Sequence, residues 1–211
     1  MREFNAERQS SVLFDYWTDD IDWFIVGGTA DSNEAQVVHD EYPNVNCIGF
    51  EPNPEFVNKQ NMELQFPGKV YPYALWNENT ELSLATPKKA TARSSSVCRP
   101  YPSPDMGNHQ EGTEYKVQSR TLDSLSEEFG PFDGAVLWID IEYAERKCLE
   151  GAKNLLTMGA IKIINLETFC HLYLPEVNRT LTEYGFMLHR IYNIGKDTRT
   201  DGQDVIYVLE K

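Results

Sequence analysis

The sequence of 211 residues has few cysteines, few basic side chains and no long hydrophobic run. Its four cysteines show no C-x-x-C spacing, which argues against a zinc site, and we interpret them as reduced thiols. No apolar run approaches the roughly 18 residues that cross a membrane, and the amino-terminal residues lack the apolar stretch of a secretory signal. We therefore expect a cytoplasmic protein with no membrane partner.

Positive charge is scarce, since 19 basic side chains stand against 33 acidic ones and the net charge is −14. Such a surface repels phosphate backbones, so we expect no nucleic-acid partner. One stretch could form a local basic patch, and it contains Lys88, Lys89, Arg93 and Arg99. A solvated loop explains these residues more simply.

Short apolar runs alternate with segments of helical period, which is the pattern of β–α–β units and a parallel sheet. The runs that predict core strands are 23–26, 46–50, 70–75, 135–139 and 161–166. Two further runs, 186–192 and 204–209, predict an antiparallel hairpin at the end of the chain. We expect a single α/β domain over residues 1–211, with a mainly parallel seven-stranded sheet and helices on both faces.

The helical segments lie between these strands. We expect a leading helix within residues 1–20 and a helix that Ser32 caps and that runs to about Tyr42. A longer helical pattern covers residues 144–156 and places its apolar side chains on one face.

Glycine or acidic residues follow four of the predicted core strands, at the edge of the sheet where open α/β folds bind their ligands. They are Gly27 and Gly28, Glu51, Asp140 to Glu142, and Glu167. A single acid after a strand is usually just a polar residue leaving the core. Four such strand ends favour a ligand site.

The turn after the first strand contains Gly27 and Gly28 but does not match G-x-G-x-x-G. A pyrophosphate needs close backbone approach at a helix N-terminus, and Asp31 would place a negative charge beside it. These features disfavour NAD and a nucleotide-dependent oxidoreductase. A phosphate-free cofactor with a positive centre, such as S-adenosylmethionine (SAM), suits the acidic turn better.

Glu51 lies 24 residues beyond Gly27, at the end of the second predicted strand. An acid in this place typically accepts hydrogen bonds from both ribose hydroxyls, because a carboxylate can take two donors at once. Together with the glycine turn, Glu51 indicates a ligand of the adenosine type.

An ordered set of motifs between about residues 22 and 170 resembles the FkbM family of O-methyltransferases. The motifs are the turn 26–33, G-F-E-P-N-P at 49–54, Y-A-L-W at 73–76, three serines at 94–96, T-L-D-S-L at 121–125, I-D-I-E-Y-A-E at 139–145 and L-E-G-A at 149–152. Each motif alone is a weak signal, and their order and spacing make the resemblance specific.

The resemblance implies a Rossmann-like class I methyltransferase that binds SAM and methylates a hydroxyl of a small molecule, sugar or glycan. Carried over by position, the cofactor-binding residues are Gly27, Gly28, Glu51, Ala74, Leu75 and Asp140. The two glycines would pack under the amino-acid end of SAM, and the glutamate would hold the ribose. The alanine and the leucine would border the adenine, and the aspartate would lie beside the transferable methyl group and the acceptor.

Methyl transfer to a hydroxyl needs alignment, exclusion of water and a base that takes the proton. We expect the catalytic groups to be Asp140, Glu142 and His171, with Glu167 as a further candidate. The three acids could instead hold Mg²⁺ through oxygen ligands. We favour no metal, because Asp140 and Glu142 face the same way only if the strand continues to residue 142.

Residues 86–113 are rich in Pro, Ser, Thr and Gly, and they lie between weaker strand patterns at 81–85 and 115–118. A stretch of this length without regular structure is usually functional or mobile. We interpret it as a lid over the acceptor pocket that supplies hydroxyl and cationic donors and excludes water.

Two positions depart from the family pattern. Asp31 stands in a turn that usually ends in glycine, and Tyr143 stands where the family usually has glycine. A tyrosine there would intrude on the space beside the strand end. These departures keep open a second class of function, a methyltransferase fold without catalysis that binds a glycan or a protein. The sequence leaves the acceptor and the oligomeric state open.

Overall fold

The computed structural model describes residues 11–86, 95–97, 113–168, 174–192 and 203–210. The strands are β1 (Trp23–Gly27), β2 (Asn46–Phe50), β3 (Gly68–Tyr71), β4 (Tyr73–Leu75), β5 (Thr80–Thr86), β6 (Thr113–Arg120), β7 (Ala135–Ile139), β8 (Ile161–Thr168), β9 (Phe186–Tyr192) and β10 (Gln203–Leu209). The helices are α1 (Glu34–Glu41), α2 (Pro54–Met62), α3 (Leu122–Phe129), α4 (Glu145–Glu150), α5 (Lys153–Thr157) and α6 (Leu174–Glu183). Among the helices of these ranges, none has the length and apolar character to span a membrane.

The larger sheet has seven strands in the order β3-β2-β1-β7-β8-β10-β9. The pairs among β3, β2, β1, β7 and β8 are parallel, and β10 pairs antiparallel with both β8 and β9. This arrangement confirms the predicted mainly parallel sheet with an antiparallel C-terminal pair. The strand order reverses at β1, which places a crevice beyond the carboxyl ends of β1, β2 and β7.

Apolar side chains cover both faces of this sheet. On one face the strands pack against α3, α4, α5 and α6, and Cys148 is part of that cluster. On the other face they pack against α1 and the helical residues 11–14, and Cys47 is part of that second cluster. Both cysteines are free and buried, and burial raises the pKa of the Cys47 thiol to about 12.

The prediction of one strand over 70–75 is wrong. Proline has no N–H to donate to a ladder, and the chain leaves the larger sheet at Pro72. Strand β3 ends at Tyr71, and β4 belongs to a separate three-stranded sheet with the order β4-β6-β5. Strands β5 and β6 extend the predicted 81–85 and 115–118 patterns and pair antiparallel with each other.

The predicted helix over 144–156 is two helices, α4 and α5, which a turn at residues 151 and 152 separates. A side chain on Gly151 would collide with the backbone carbonyl of Trp76. The start of α5 is capped from outside, since the Asp123 carboxylate accepts the N–H groups of Asn154 and Leu155 at 3.0 and 3.2 Å.

Ser32 does not cap α1. Its hydroxyl donates to the carbonyl of Thr29 at 2.8 Å, and the helix begins at Glu34 after Asn33, which makes no side-chain cap bond. Of the predicted lid 86–113, the ends belong to β5 and β6, and only residues 95–97 lie within the described part between them. The leading helix within 1–20 is described only from residue 11, where the helical segment ends at residue 14.

Candidate functional site

The carboxyl ends of β1, β2 and β7 lie side by side in the crevice. Gly27 is the register partner of Phe50 on one side and of Ile139 on the other. Glu51 and Asp140 directly follow these partners, so they flank the glycine turn. They are close enough for the Asp140 charge to add to the burial that raises the pKa of Glu51. The structure thus brings together the predicted glycine turn and two of the predicted acids.

Glu51 is buried, with 6% of its surface exposed. Its Oε2 accepts the N–H of Ala30 at 3.0 Å, and its Oε1 accepts the N–H of Asn53 at 2.8 Å. Burial raises the pKa of Glu51 to about 7, even though both N–H bonds lower it. A carboxylate offers about four acceptor positions, so each oxygen can accept a further donor such as a hydroxyl.

The two glycines of the turn are required by packing against neighbouring strands. Gly28 has a φ of +79°, and a side chain on it would meet the backbone carbonyl of Asp140. A side chain on Gly27 would come within 2.6 Å of Leu75 Cδ1. The turn is tied to β2 and β7 by two backbone bonds, from Gly28 to Phe50 at 2.8 Å and from Asp140 to Gly27 at 3.1 Å. The predicted contact of the glycines with a cofactor remains a prediction.

The charge of Asp31 is balanced by helix α2. Its carboxylate forms an ion pair with Lys59 Nζ at 3.0 Å. Both side chains keep partial exposure, 21% for Asp31 and 37% for Lys59, so we assign the pair no more than about 1 kcal/mol of stability. The pair nevertheless offsets the negative charge that sets this turn apart from the family pattern.

Gln60 of α2 holds the carbonyl side of the same turn, and the sequence analysis did not single it out. Its Nε2 approaches the carbonyl oxygens of Thr29 and Ala30 at 3.2 Å and that of Ser32 at 2.9 Å. Gln60 is 2% exposed and is the only buried residue of α2. The sequence offered one signal for Gln60, namely a polar residue on the inward face of the helix that follows E-P-N-P.

Ala74 and Leu75 contribute their side chains to packing and are each 3% exposed. Ala74 belongs to the core of the small sheet with Leu84 and Val117, and Leu75 contacts Gly27. The adenine border predicted for these two residues could therefore come only from their backbone, because their side chains present almost no surface.

Carboxyl groups crowd the ends of β7 and β8. This acidic group consists of Asp140, Glu142, Glu145, Glu167 and Asp204. Burial, followed by repulsion from neighbouring carboxylates, raises the pKa of Glu142 to about 8 and that of Glu167 well above its usual range. Burial likewise raises the pKa of Glu145 to about 7, and Asp140 adds to that rise. Glu145 and Asp204 were not among the predicted site residues.

Asp140 and Glu167 lie beside each other, and burial, together with the Asp140 charge, raises the pKa of Glu167 well above its usual range. Asp204 lies directly opposite Glu167 in the β8–β10 ladder, where like charges destabilise each other. Asp140 keeps solvent-exposed surface, yet burial by the surrounding chain raises its pKa. Both properties hold for a carboxylate on the floor of an open crevice, which is how we interpret its position.

The chain turns sharply after β7, so Asp140 and Glu142 do not continue a strand. Glu142 and Tyr143 have φ values of +53° and +76°, a left-handed conformation that favours glycine. The Ser96 hydroxyl donates to the carbonyl of Glu142 at 2.7 Å, and Ser96 exchanges two backbone bonds with Ala85 of β5. Ser96 of the predicted 94–96 serine cluster therefore uses its hydroxyl to hold this turn rather than to bind an acceptor.

Within the described ranges, no three His, Cys, Asp or Glu side chains are arranged to hold a metal ion. The predicted catalytic His171 lies outside the described residues, as do Arg93 and Arg99 of the predicted lid. The catalytic role of Asp140 and Glu142 and the metal-free site therefore stay predictions.

Comparison with known proteins gives a family and a set of similar folds. The family model described as the methyltransferase FkbM domain matches residues 26–188. No curated protein matches the chain. Similar solved structures include the methyltransferase domain of bacterial CtHen1-C, with 11% identity and a TM-score of 0.49 over 98% of this chain and 99% of that one.

Two other similar structures are also methyltransferases. The precorrin-6y C5,15-methyltransferase of Geobacter metallireducens GS-15 has 12% identity and a TM-score of 0.49 over 97% of this chain and 88% of that one. TrmK of M. capricolum, solved with S-adenosylhomocysteine, has 9% identity and a TM-score of 0.48 over 100% of this chain and 70% of that one.

Proposed function

Because this chain belongs to the FkbM methyltransferase family, we propose that it is a SAM-dependent O-methyltransferase whose acceptor is a hydroxyl of a small molecule, sugar or glycan. The observation that carries the proposal is the position of Glu51 and Asp140 on either side of the glycine turn. This is the place in an open α/β sheet where ligands bind.

The residues present fit SAM. Each oxygen of Glu51 has one backbone partner and capacity for another donor, which suits the two hydroxyls of a ribose. A cofactor with positive charge at its sulfonium and its ammonium also suits a crevice with several carboxylates, because an opposite charge favours their ionised form. When bound, SAM supplies an electrophilic methyl group on sulfur.

Asp140 is the proposed base. Its carboxylate would take the proton of the acceptor hydroxyl as the oxygen attacks, with the Glu167 carboxyl beside it. Burial raises the pKa of Asp140, which makes it a stronger base than an exposed aspartate. Glu142, with a pKa of about 8, is the second candidate.

The acidic group also bears on the class of acceptor. A phosphate or carboxylate on the acceptor would be repelled by the Asp140 carboxylate, whereas a neutral polyol or a cationic acceptor would not. This supports a sugar or a small hydroxylated molecule as the acceptor and argues against a nucleic acid.

Calorimetric titration with SAM and S-adenosylhomocysteine, followed by Glu51→Ala, tests the cofactor assignment. Removing a buried carboxylate that accepts two ribose hydroxyls should weaken binding about ten- to a hundredfold. Glu55→Ala is the control, since Glu55 is an exposed acid of α2 that accepts a bond from Tyr115 at 3.1 Å. Unchanged affinity in the Glu51 variant would show that the ribose is held elsewhere.

The second candidate function is a methyltransferase fold that binds a glycan or protein without catalysis. The observation that favours it is Tyr143 at φ +76°, in a position where the family pattern has glycine. A panel of hydroxylated molecules and sugars, incubated with methyl-labelled SAM, separates the two. Label transfer to any acceptor rejects the non-catalytic candidate, and SAM binding without transfer across the panel favours it.

A further inference from the structure

Gln60 contacts three carbonyls of a turn that lacks the third glycine of dinucleotide-binding folds. We propose that Gln60 is a positioning residue that fixes the turn 28–32 in the conformation that binds SAM. The inference rests on the proposed function, because it concerns the same cofactor site.

The turn has an unusual backbone that needs outside support. Ala30 at its centre has φ +40°, a left-handed conformation that costs free energy in any residue with a Cβ. The N–H of Ala30 donates to the Glu51 carboxylate at 3.0 Å. The turn that Gln60 holds therefore also orients Glu51, the residue proposed to bind the ribose. A change in the turn would therefore reach Glu51 directly.

Gln60 supplies donors where this turn has acceptors. A side-chain amide has two N–H hydrogens, and the Nε2 of Gln60 shares them among the carbonyls of Thr29, Ala30 and Ser32 at 2.9 to 3.2 Å. Lysine or arginine could donate as well, but burial at 2% exposure would penalise their charge. A neutral amide is the donor that fits this place.

The neighbouring Asn61 offers a matched control on the same helix. Its side chain makes two bonds of similar length with the backbone of Val70, at 2.8 and 3.0 Å, and so ties α2 to β3. Removing it loses hydrogen bonds between the helix and the sheet but none to the turn. Variants of Gln60 and Asn61 can therefore distinguish the loss of contacts to the turn 28–32 from the loss of contacts between α2 and the sheet.

The experiment measures S-adenosylhomocysteine affinity by calorimetry and unfolding by thermal denaturation in the parent, Gln60→Met and Asn61→Ala. Methionine has an unbranched side chain of about the same length as glutamine but has no donor, so we expect affinity to fall about tenfold or more. Asn61→Ala should lower the melting temperature while leaving affinity within about twofold. Amide hydrogen exchange of residues 28–32 should accelerate in Gln60→Met and stay unchanged in Asn61→Ala.

A second variant covers the case in which Gln60→Met does not fold. Gln60→Glu keeps the shape, and its carboxyl can donate one hydrogen when protonated and none when ionised. Its affinity relative to the parent should therefore improve as the pH falls. Parental affinity and exchange in the folded Gln60 variants would overturn the inference and leave the proposed function standing, whereas a parent that binds neither SAM nor S-adenosylhomocysteine would overturn both.

Discussion

Two halves of the crevice differ in how their polar groups are satisfied. On the cofactor side, formed by residues 27–32 and 51–60, opposite partners meet: Glu51 accepts two N–H groups, Gln60 donates to carbonyls, and Asp31 pairs with Lys59. On the acidic side, formed by the acidic group, like charges meet. Carboxylates there raise one another's pKa, and the turn that carries Glu142 and Tyr143 is left-handed.

The difference fits the proposed function, in which one side of the crevice binds the cofactor and the other carries out the chemistry. A preorganised cofactor side binds a ligand without having to rearrange first, which saves binding free energy. Crowded carboxylates are costly for the folded chain but provide a stronger base than an exposed carboxylate. Substitutions on the two sides should therefore have opposite effects on stability.

The largest effect is expected from Asp140→Asn. The amide cannot take the acceptor proton, so turnover should fall about 10²- to 10⁴-fold. The same change removes a charge that raises the pKa of Glu51, Glu142, Glu145 and Glu167. We therefore expect the variant to melt at a higher temperature than the parent.

Methyl transfer and thermal unfolding are measured on the same preparations of Asp140→Asn. Asp133→Asn, an exposed acid before β7, is the control and should change neither quantity. If the variant loses stability along with activity, Asp140 stabilises the fold, and the acidic side is not the destabilising side of the crevice.

A smaller effect is expected from pH on stability. Folding raises the pKa of Glu51 and Glu145 to about 7 and that of Glu142 to about 8, so the folded chain holds more protons than the unfolded chain above their ordinary pKa. This contribution to the free energy of unfolding is therefore greatest on the acid side and is lost as the pH rises from about 5 to about 8. Denaturant titrations across that range should show the decline.

SAM should reduce this decline more than S-adenosylhomocysteine does, because its sulfonium charge favours the ionised carboxylates. Affinity for SAM should accordingly rise with pH over the same range. Equal pH dependence for the two ligands would mean that the acidic group does not sense the sulfonium.

The smallest effect is expected from Tyr143→Gly. Glycine adopts the left-handed conformation without the steric cost that a Cβ brings, so the free energy of unfolding should rise by about 1 kcal/mol. Tyr143→Ala removes the ring but keeps the Cβ and should bring no such gain. If both variants are equally stable, the backbone at residue 143 stores no strain.

The sequence predicted the parts of the site that depend on local order along the chain. Strand ends and parallel pairing follow from apolar runs, so Glu51 and Asp140 could be expected beside the glycine turn. The opposition of Glu167 and Asp204 depends on the register of a long-range antiparallel pair, and the role of Gln60 depends on which helix face meets the turn. Neither leaves a pattern in neighbouring residues.

The departure at Tyr143 was visible in the sequence, whereas its physical meaning was not. A missing glycine indicates either a changed conformation or a retained, strained one, and only the φ of +76° distinguishes them. The break of the third strand at Pro72 was likewise available from the residue type, because proline interrupts a ladder. Its consequence, a second sheet, required the partners β5 and β6.

The two buried thiols allow local opening of the chain to be measured separately on each side of the crevice. Cys47 lies in β2, which leads to Glu51, and Cys148 lies in α4, which follows the left-handed turn. Burial raises the pKa of both thiols, so a thiol reagent reacts only when the surrounding segment opens and releases a thiolate. With Cys98 and Cys170 replaced by serine, the labelling rates of Cys47 and Cys148 would report how often β2 and α4 open.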